Sequence, residues 1–349
     1  MGLLYDTCES INKRSVEIEK YVVSTWNSVG GATVYGRLVP IVAQYAAATE
    51  QREVTIPKPC MIIASADHGV ADMGVSAYPK ETTIGMTQNY LIPKGAGANS
   101  LANYCGAHME VIDMGVAADM SWVPGLRSHK LGMGTKNFVE EPAMTREQAI
   151  EGIEAGIELV TEKINEGYNV FLVGEMGIAN TTASALMTAK FAGLTAEEAT
   201  GRGSNISDER LKLKQRIVHD VLEKYKDIDK SDGLGILAAV GGFEFACIVG
   251  IMLGAAAHKA LVIIDGFNTS ACALVAKSLK PDTMDYIMAS HLSAEKAAKS
   301  ALENLGLEAY VDLKLCLGEA SGGSIQMGML DLAVRMYLAL QGGMTNESI

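Results

Sequence analysis

A carboxylate set just before a cluster of small residues is a candidate for proton transfer, and this chain carries one in Leu317-Gly318-Glu319-Ala320-Ser321-Gly322-Gly323. The segment ahead of it is apolar and the residues behind it open a helix, so Glu319 falls in a half-buried turn. Burial raises a carboxyl pKa and makes a better base, whereas a helix N-terminus lowers it; the order of residues leaves that balance open. The plainer reading is a helix-capping glutamate. A second constellation is Gly174-Glu175-Met176-Gly177-Ile178-Ala179-Asn180-Thr181-Thr182. Its glycines permit a tight turn between a buried strand and an Ala-rich helix, with Asn180 or Thr181 as the helix cap, and such a turn can cradle a phosphate. An ordinary tight connection explains the pattern equally well. Gly201-Arg202-Gly203-Ser204-Asn205 is another glycine-rich turn, followed by Lys212, Lys214 and Arg216. A lysine there would neutralise a phosphate as a compact charge, or the basic face is merely solvated. Ser293-Ala294-Glu295-Lys296 resembles a capping box offset by one residue, whose helix start would hold the same phosphate or none.

These groups need a scaffold that brings them together, and the hydrophobic pattern supplies one. Short Val- and Ile-rich runs, each ending in glycine and acidic residues and followed by a helical pattern, recur from Cys60 to Leu317. That is the mark of βα units feeding a parallel sheet. Strands are expected at Cys60–Ala64, Met109–Ile112, Val170–Val173, Leu261–Ile264, Tyr286–Ala289 and, less distinctly, Val311–Leu317. In an open α/β sheet ligands bind beyond the carboxyl ends of the strands, which is where Asp67, His68, Asp113, Glu175, Asp265, Ser290, His291, Ser293 and Glu319 fall. Asp265 and Asn180 join Gly203 there as candidate substrate contacts. Asp67, His68, Asp113, Asp265 and His291 could instead ligate a metal or bind the turns internally; no H-E-x-x-H or paired-histidine spacing favours the metal, and none is expected. The segments before Pro57 and after Gly323 read as helical, the latter through Ile325, Met329, Leu332, Ala333 and Met336. The expected organisation is a large α/β domain, 57–323, with a Rossmann-like parallel sheet flanked by helices, and a small helical domain from 1–56 plus 324–349.

Composition narrows the partners. The 349 residues are 48% hydrophobic, enough for a substantial core. Charge is 29 Lys+Arg against 41 Asp+Glu, net −12, with no basic run to track a nucleic-acid backbone. The six cysteines lie far apart without zinc-like spacing, as reduced core thiols would. The N-terminus has charges where a signal peptide needs an apolar stretch, so a cytoplasmic protein is expected. Glu244 interrupts the apolar Gly233–Ala257 stretch, which reads as a buried helix and not a membrane span.

Taken in order, A-D-H-G-V (Ala66 to Val70), G-V-S-A-Y-P (Gly74 to Pro79), I-D-M-G-V (Ile112 to Val116), G-E-M-G-I-A-N-T-T (Gly174 to Thr182), V-G-G-F-E (Val240 to Glu244), D-G-F (Asp265 to Phe267), S-H-L-S-A-E-K (Ser290 to Lys296) and L-G-E-A-S-G (Leu317 to Gly322) resemble the nicotinate-nucleotide:dimethylbenzimidazole phosphoribosyltransferase family. The resemblance runs from about Ala66 to the end. It implies a large parallel-sheet domain, a small helical domain built from both termini, a dimer, and no cofactor. It makes Glu319 the catalytic base and places Gly177, Lys214 and Ser293 around the phosphate of nicotinate mononucleotide, with Glu175 near its ribose or nicotinate. Tyr78 and Met86 then line the pocket for the incoming base, beside Leu317. The implied reaction displaces nicotinate at the anomeric carbon with inversion, giving an α-ribotide for cobamide assembly. Two departures matter. The family's Pro-Pro-Gly-Ser-Leu-Gly-Arg-Leu-Glu segment is here Val29 to Val39, keeping only Gly36-Arg37-Leu38, and the ending reads E-A-S-G-G-S in place of E-G-S-G-A-A. A purine or phenolic acceptor, or a paralogous partner in place of an identical one, would be consistent with them. Two other readings compete: a metal-dependent hydrolase using Asp67, His68, Asp113 and His291, and a non-catalytic nucleotide-binding subunit.

Overall fold

A computed structural model describes residues 2–342. Six parallel strands form one sheet in the order β3-β2-β1-β4-β5-β6: β1 Pro59–Ala66, β2 His108–Gly115, β3 Arg127–Ser128, β4 Val170–Met176, β5 Leu261–Ile264 and β6 Ile287–Ala289. β1 and β4 are buried along their whole length, as continuous apolar runs covered on both faces must be. The order reverses between β1 and β4, so the chain leaves neighbouring strands in opposite directions and opens a crevice at their carboxyl ends.

Five expected strands are present. The sixth, Val311–Leu317, is not one: it runs beside residues 290–294 through Leu292 N–H to Val311 O (2.8 Å) and Ala294 N–H to Leu315 O (3.0 Å), with a single bridge between His291 and Val311. Lys314 at φ 57° turns it out of register before a ladder can form. β3 has no signal in the sequence, since two residues carry no periodicity.

The Gly233–Ala257 stretch is two buried helices, Gly233–Val240 and Phe243–Ala257; among the described residues no helix is long and apolar enough to cross a membrane. Phe243–Ala257 lies on β1, β2, β4 and β5 and packs along Arg146–Asn165. At that crossing a Cβ on Gly250 would stand 1.9 Å from the Ile153 carbonyl oxygen, and one on Gly156 would stand 2.1 Å from that of Cys247. The backbones meet there with no room for a side chain.

Helices Val16–Asn27 and Leu38–Ala48 pack on each other, and Leu38–Ala48 also packs on Ser321–Leu340. Trp26, fully buried, touches Tyr35 and Tyr337 with ring centroids 4.7 and 5.7 Å away. The first helix, Leu3–Ser10, instead packs against Arg146–Asn165 and Phe243–Ala257, with Leu4 N–H donating to Glu154 at 3.0 Å. Residues 343–349 of the expected terminal domain lie outside the described residues. The divergent Val29–Val39 segment forms a short helix, Gly31–Tyr35, after which Arg37 donates to the Ala309 carbonyl at 2.9 Å and lies over the Tyr310 ring.

Candidate active site

A cleft of about 600 Å³ opens at the carboxyl ends of β4, β5 and β6, a volume suited to small organic ligands. Ten of the eleven residues expected to act as base or to contact substrate line it: Tyr78, Met86, Glu175, Gly177, Asn180, Gly203, Asp265, Ser293, Leu317 and Glu319. Lys214 does not reach its surface. It is buried behind Thr181 and Gly203, which do line it, and its ammonium donates to Thr181 Oγ1 at 2.8 Å. Burial pulls the Lys214 pKa down to about 8, partly opposed by the charge of Glu295. A buried ammonium with one neutral partner is short of an anion.

Glu319 sits on the inner wall. Gly318, Glu319 and Ala320 are all left-handed, at φ 78°, 60° and 60°, a conformation that costs energy for the two non-glycine residues and persists only where the surroundings enforce it. Two contacts enforce it. Asp265, just past β5, accepts from the N–H groups of Gly322 (2.6 Å) and Gly323 (3.3 Å), capping the Ser321–Leu340 helix from another element. The turn also rests on β4, where a Cβ on Gly174 would fall 2.6 Å from the Ala320 nitrogen. Glu319 is therefore not the helix cap. Its half-buried carboxyl is pushed up from the ordinary value by desolvation; the Tyr90 hydroxyl works against that shift and the Asp265 carboxylate with it. Burial wins over the helix terminus, which suits a general base.

Glu175 ends β4 beneath this turn, with its Oε1 at 2.8 Å from where a Gly318 Cβ would be. It accepts from the Asn180 amide, which in turn accepts from Asn268 Nδ2 at 3.0 Å. Complete burial pushes the Glu175 pKa up to about 8 despite these amides, so near neutral pH most of it is protonated.

The turn after β4 opens onto the cleft. Gly177 admits no side chain, since a Cβ would lie 2.5 Å from the Ala66 carbonyl oxygen and 3.2 Å from the His68 ring. Ala179, at φ 74°, takes the cap position of helix Asn180–Ala192 without a side-chain bond. The expected capping by Asn180 or Thr181 is thus incorrect: Asn180 is turned to Glu175 and Thr181 to Lys214, while Asn180 N–H donates to the Gly177 carbonyl at 3.3 Å and Thr182 N–H to that of Ala179 at 2.9 Å. Ser293 likewise starts no helix. The next one begins at Ala298, and Ser293 Oγ bonds the Leu315 carbonyl and the Glu295 N–H, both at 3.3 Å, within a buried loop.

The residues weighed as metal ligands do not converge on one point, although His291 Nδ1 lies 3.9 Å from Asp265 Oδ1 in the wall of the cleft. His68 Nε2 is 2.6 Å from Glu244 Oε1, both fully buried; Asp113 pairs with Lys130 at 2.7 Å and accepts from the Gly115 and Val116 N–H groups; Asp67 accepts from Ala117 N–H at 2.8 Å. Among the described residues no three His, Cys, Asp or Glu side chains group as a metal would require. These are bonds that shape the strand-end turns.

Several cleft residues carry no such signal in the sequence. Local pattern marks Glu295 only as part of a cap, yet its Oε1 accepts from Gly203 N–H at 2.9 Å and joins the two loops. Ser204 Oγ accepts from Ala77 N–H at 3.0 Å and stands 3.3 Å from Ser76 Oγ, tying the loop of Tyr78 to that of Gly203. Nothing in local sequence signals contacts across such separations.

The chain is similar to known proteins in sequence and in fold. A phosphoribosyltransferase family model matches residues 27–342. The nicotinate-nucleotide–dimethylbenzimidazole phosphoribosyltransferase of Roseiflexus sp. (strain RS-1) is 41% identical over 301 residues, 86% of this chain and 85% of that one. The enzyme of the same name from Geotalea uraniireducens (strain Rf4) is 42% identical over the same shares. In shape the chain is similar to the crystal structure of CobT from Thermus thermophilus, with a TM-score of 0.88 at 33% identity over 95% of this chain and all of that one.

Proposed function

The chain belongs to the nicotinate-nucleotide–dimethylbenzimidazole phosphoribosyltransferase family, and from that premise we propose that it moves phosphoribose from nicotinate mononucleotide to 5,6-dimethylbenzimidazole or a related base, giving the α-ribotide of a cobamide lower ligand. The observation that carries this reading is one cleft lined by a half-buried carboxylate, Glu319, and by the glycine turn that opens a helix, with a buried lysine behind that turn.

The mononucleotide phosphate is held at the turn of Gly177, with Gly203 and Ser293 beside it and Lys214 behind as the countercharge. Glu175, Asn180 and Asp265 face the ribose and nicotinate. Tyr78, Met86 and Leu317, on the open side, take the acceptor ring. One ring nitrogen of the acceptor attacks the anomeric carbon, the bond to nicotinate breaks with its electron pair returning to the pyridinium nitrogen, and the acceptor's other nitrogen gives its proton to Glu319. The leaving group is already an electron sink, so the protein's main tasks are alignment and removal of one proton. We propose further that the protein works in the cytoplasm as a dimer, with a large domain of residues 57–323 and a small helical domain of 1–56 plus 324–349. The Trp26–Tyr337 contact supports that division.

The test is a product assay by liquid chromatography and mass spectrometry. Purified protein is incubated with nicotinate mononucleotide and, separately, dimethylbenzimidazole, benzimidazole, adenine, phenol and p-cresol. An α-ribotide with one nicotinate released per turnover is expected with dimethylbenzimidazole. Product only with a phenol or purine would change the acceptor; no product with any of them would overturn the proposal.

A further inference from the structure

Thr82, Met86 and Tyr90 are spaced by four along the helix Thr82–Asn89 and its C-terminal cap, so they share a face. Thr82 and Met86 line the open side of the cleft. Tyr90, one turn further, points inward: it is fully buried, and its hydroxyl has no partner within ordinary hydrogen-bond reach. A buried phenol without a partner is costly, and such groups in folded proteins call for an explanation. The carboxylates whose charge reaches this hydroxyl are those of Glu319, the stronger influence, and Glu175. The backbone behind it is held, because buried Asn99 donates from Nδ2 to the Tyr90 carbonyl at 2.9 Å and accepts from Ala96 N–H at 3.2 Å. With the Tyr90 backbone held by Asn99 and the turn of Glu319 clamped by Asp265, side-chain rotation is what can bring the two groups together. Catalytic hydrogen bonds are commonly long in the empty site and tighten when ligands bind.

We propose that Tyr90 is a positioning residue for Glu319: with acceptor bound, its hydroxyl donates to one carboxylate oxygen, holding the base in its reactive rotamer and favouring its anion, while the other oxygen takes the acceptor's proton. Tyr90 keeps its own proton throughout. The inference rests on the assignment of Glu319 as base. The charged and titratable groups around that carboxylate are the Tyr90 phenol, Asp265 past β5, and Glu175 at the end of β4. Asp265 disfavours the Glu319 anion and Tyr90 offsets it. The helix of Thr82 and Met86 thereby links the acceptor wall to the base.

The experiment is Tyr90→Phe in the full chain, with kcat measured against pH, the dissociation constant of nicotinate mononucleotide, and the melting temperature. Loss of a hydrogen bond to a charged group raises the pKa of that group, so the acid limb of kcat should move up by about one pH unit. Mononucleotide affinity should stay unchanged and melting temperature unchanged or higher, since the variant removes a buried unpartnered hydroxyl. An unmoved acid limb, or a fall in affinity, turnover and melting temperature together, overturns the proposal. Glu319→Gln separates the two claims. If that variant is inactive while Tyr90→Phe behaves as wild type, Tyr90 alone is misassigned; if Glu319→Gln turns over normally, the base assignment itself is wrong. In the Glu319→Gln background, Tyr90→Phe should cause no further loss.

Discussion

Two side chains do opposite work in the cleft, and each gives a measurable sign. For Glu319 the expected consequence is loss of proton transfer with binding intact: Glu319→Gln should lower kcat by roughly 10²- to 10⁴-fold, about 3 to 5 kcal/mol of barrier, while calorimetry shows wild-type affinity for nicotinate mononucleotide. Because desolvation raises the Glu319 pKa, wild-type kcat should fall on the acid side at a pH above the ordinary carboxylate range. Lys214 is shifted the other way, down to about 8. Below that pH the folded protein carries a buried charge that the unfolded chain would solvate, so stability is lost as pH falls through 8 and is fully present only above the ordinary value near 10.5. Lys214→Met should therefore melt at a higher temperature than wild type at pH 7, with the gap closing toward pH 10.5, and should bind the mononucleotide far more weakly. Wild-type binding above pH 8 should draw in a proton as the phosphate re-charges the lysine. Titration in buffers of different ionisation enthalpy reads that uptake directly, and its absence would move the phosphate away from Lys214.

At the scale of elements, the helix pair on the sheet's main covered face explains why small residues recur in Arg146–Asn165 and Phe243–Ala257. Gly250 and Gly156 let two backbones touch where a single methyl would overlap a carbonyl oxygen. Overpacking of this kind typically costs about 1 to 3 kcal/mol. Gly250→Ala should lower the denaturant midpoint by a corresponding amount and leave the KM for mononucleotide unchanged, since this crossing lies away from the cleft residues. Wild-type stability in the variant would mean that the helices separate more freely than their packing implies. The cleft turns obey a different logic. Gly177 is fenced by Ala66, His68 and Glu244, so the buried His68–Glu244 pair shapes the turn after β4 without entering the cleft.

For the molecule as a whole, the property with a direct readout is assembly. Tyr78 and Leu317 stand more than half exposed at the cleft mouth, as does Tyr104 on the helix beside Ser321–Leu340. The dimer proposal predicts a native mass twice that of the chain. A monomer that still makes ribotide would show that the cleft is complete in one chain, and a requirement for a second, different subunit would favour a paralogous partner.

Much of this was legible in sequence, and the reason is local. Runs such as Met61–Ala64 and Leu261–Ile264 are apolar on both faces and so announce buried parallel strands, and glycine-bearing polar turns after them point to Glu175, Gly177, Asn180, Gly203, Asp265, Ser293 and Glu319, whereas Tyr78, Met86 and Leu317 are reached only through the family resemblance. What tertiary structure alone decided is which polar group meets which. The capping roles expected of Asn180, Thr181 and Glu319 passed to Ala179, Ala320 and a distant carboxylate, Asp265; Lys214 withdrew behind Thr181; Glu295 took up Gly203, far away in sequence. A side chain's local preference is worth about 1 kcal/mol, less than the cost of leaving a buried polar group unpaired. Which partner it takes is therefore settled by what the fold brings alongside.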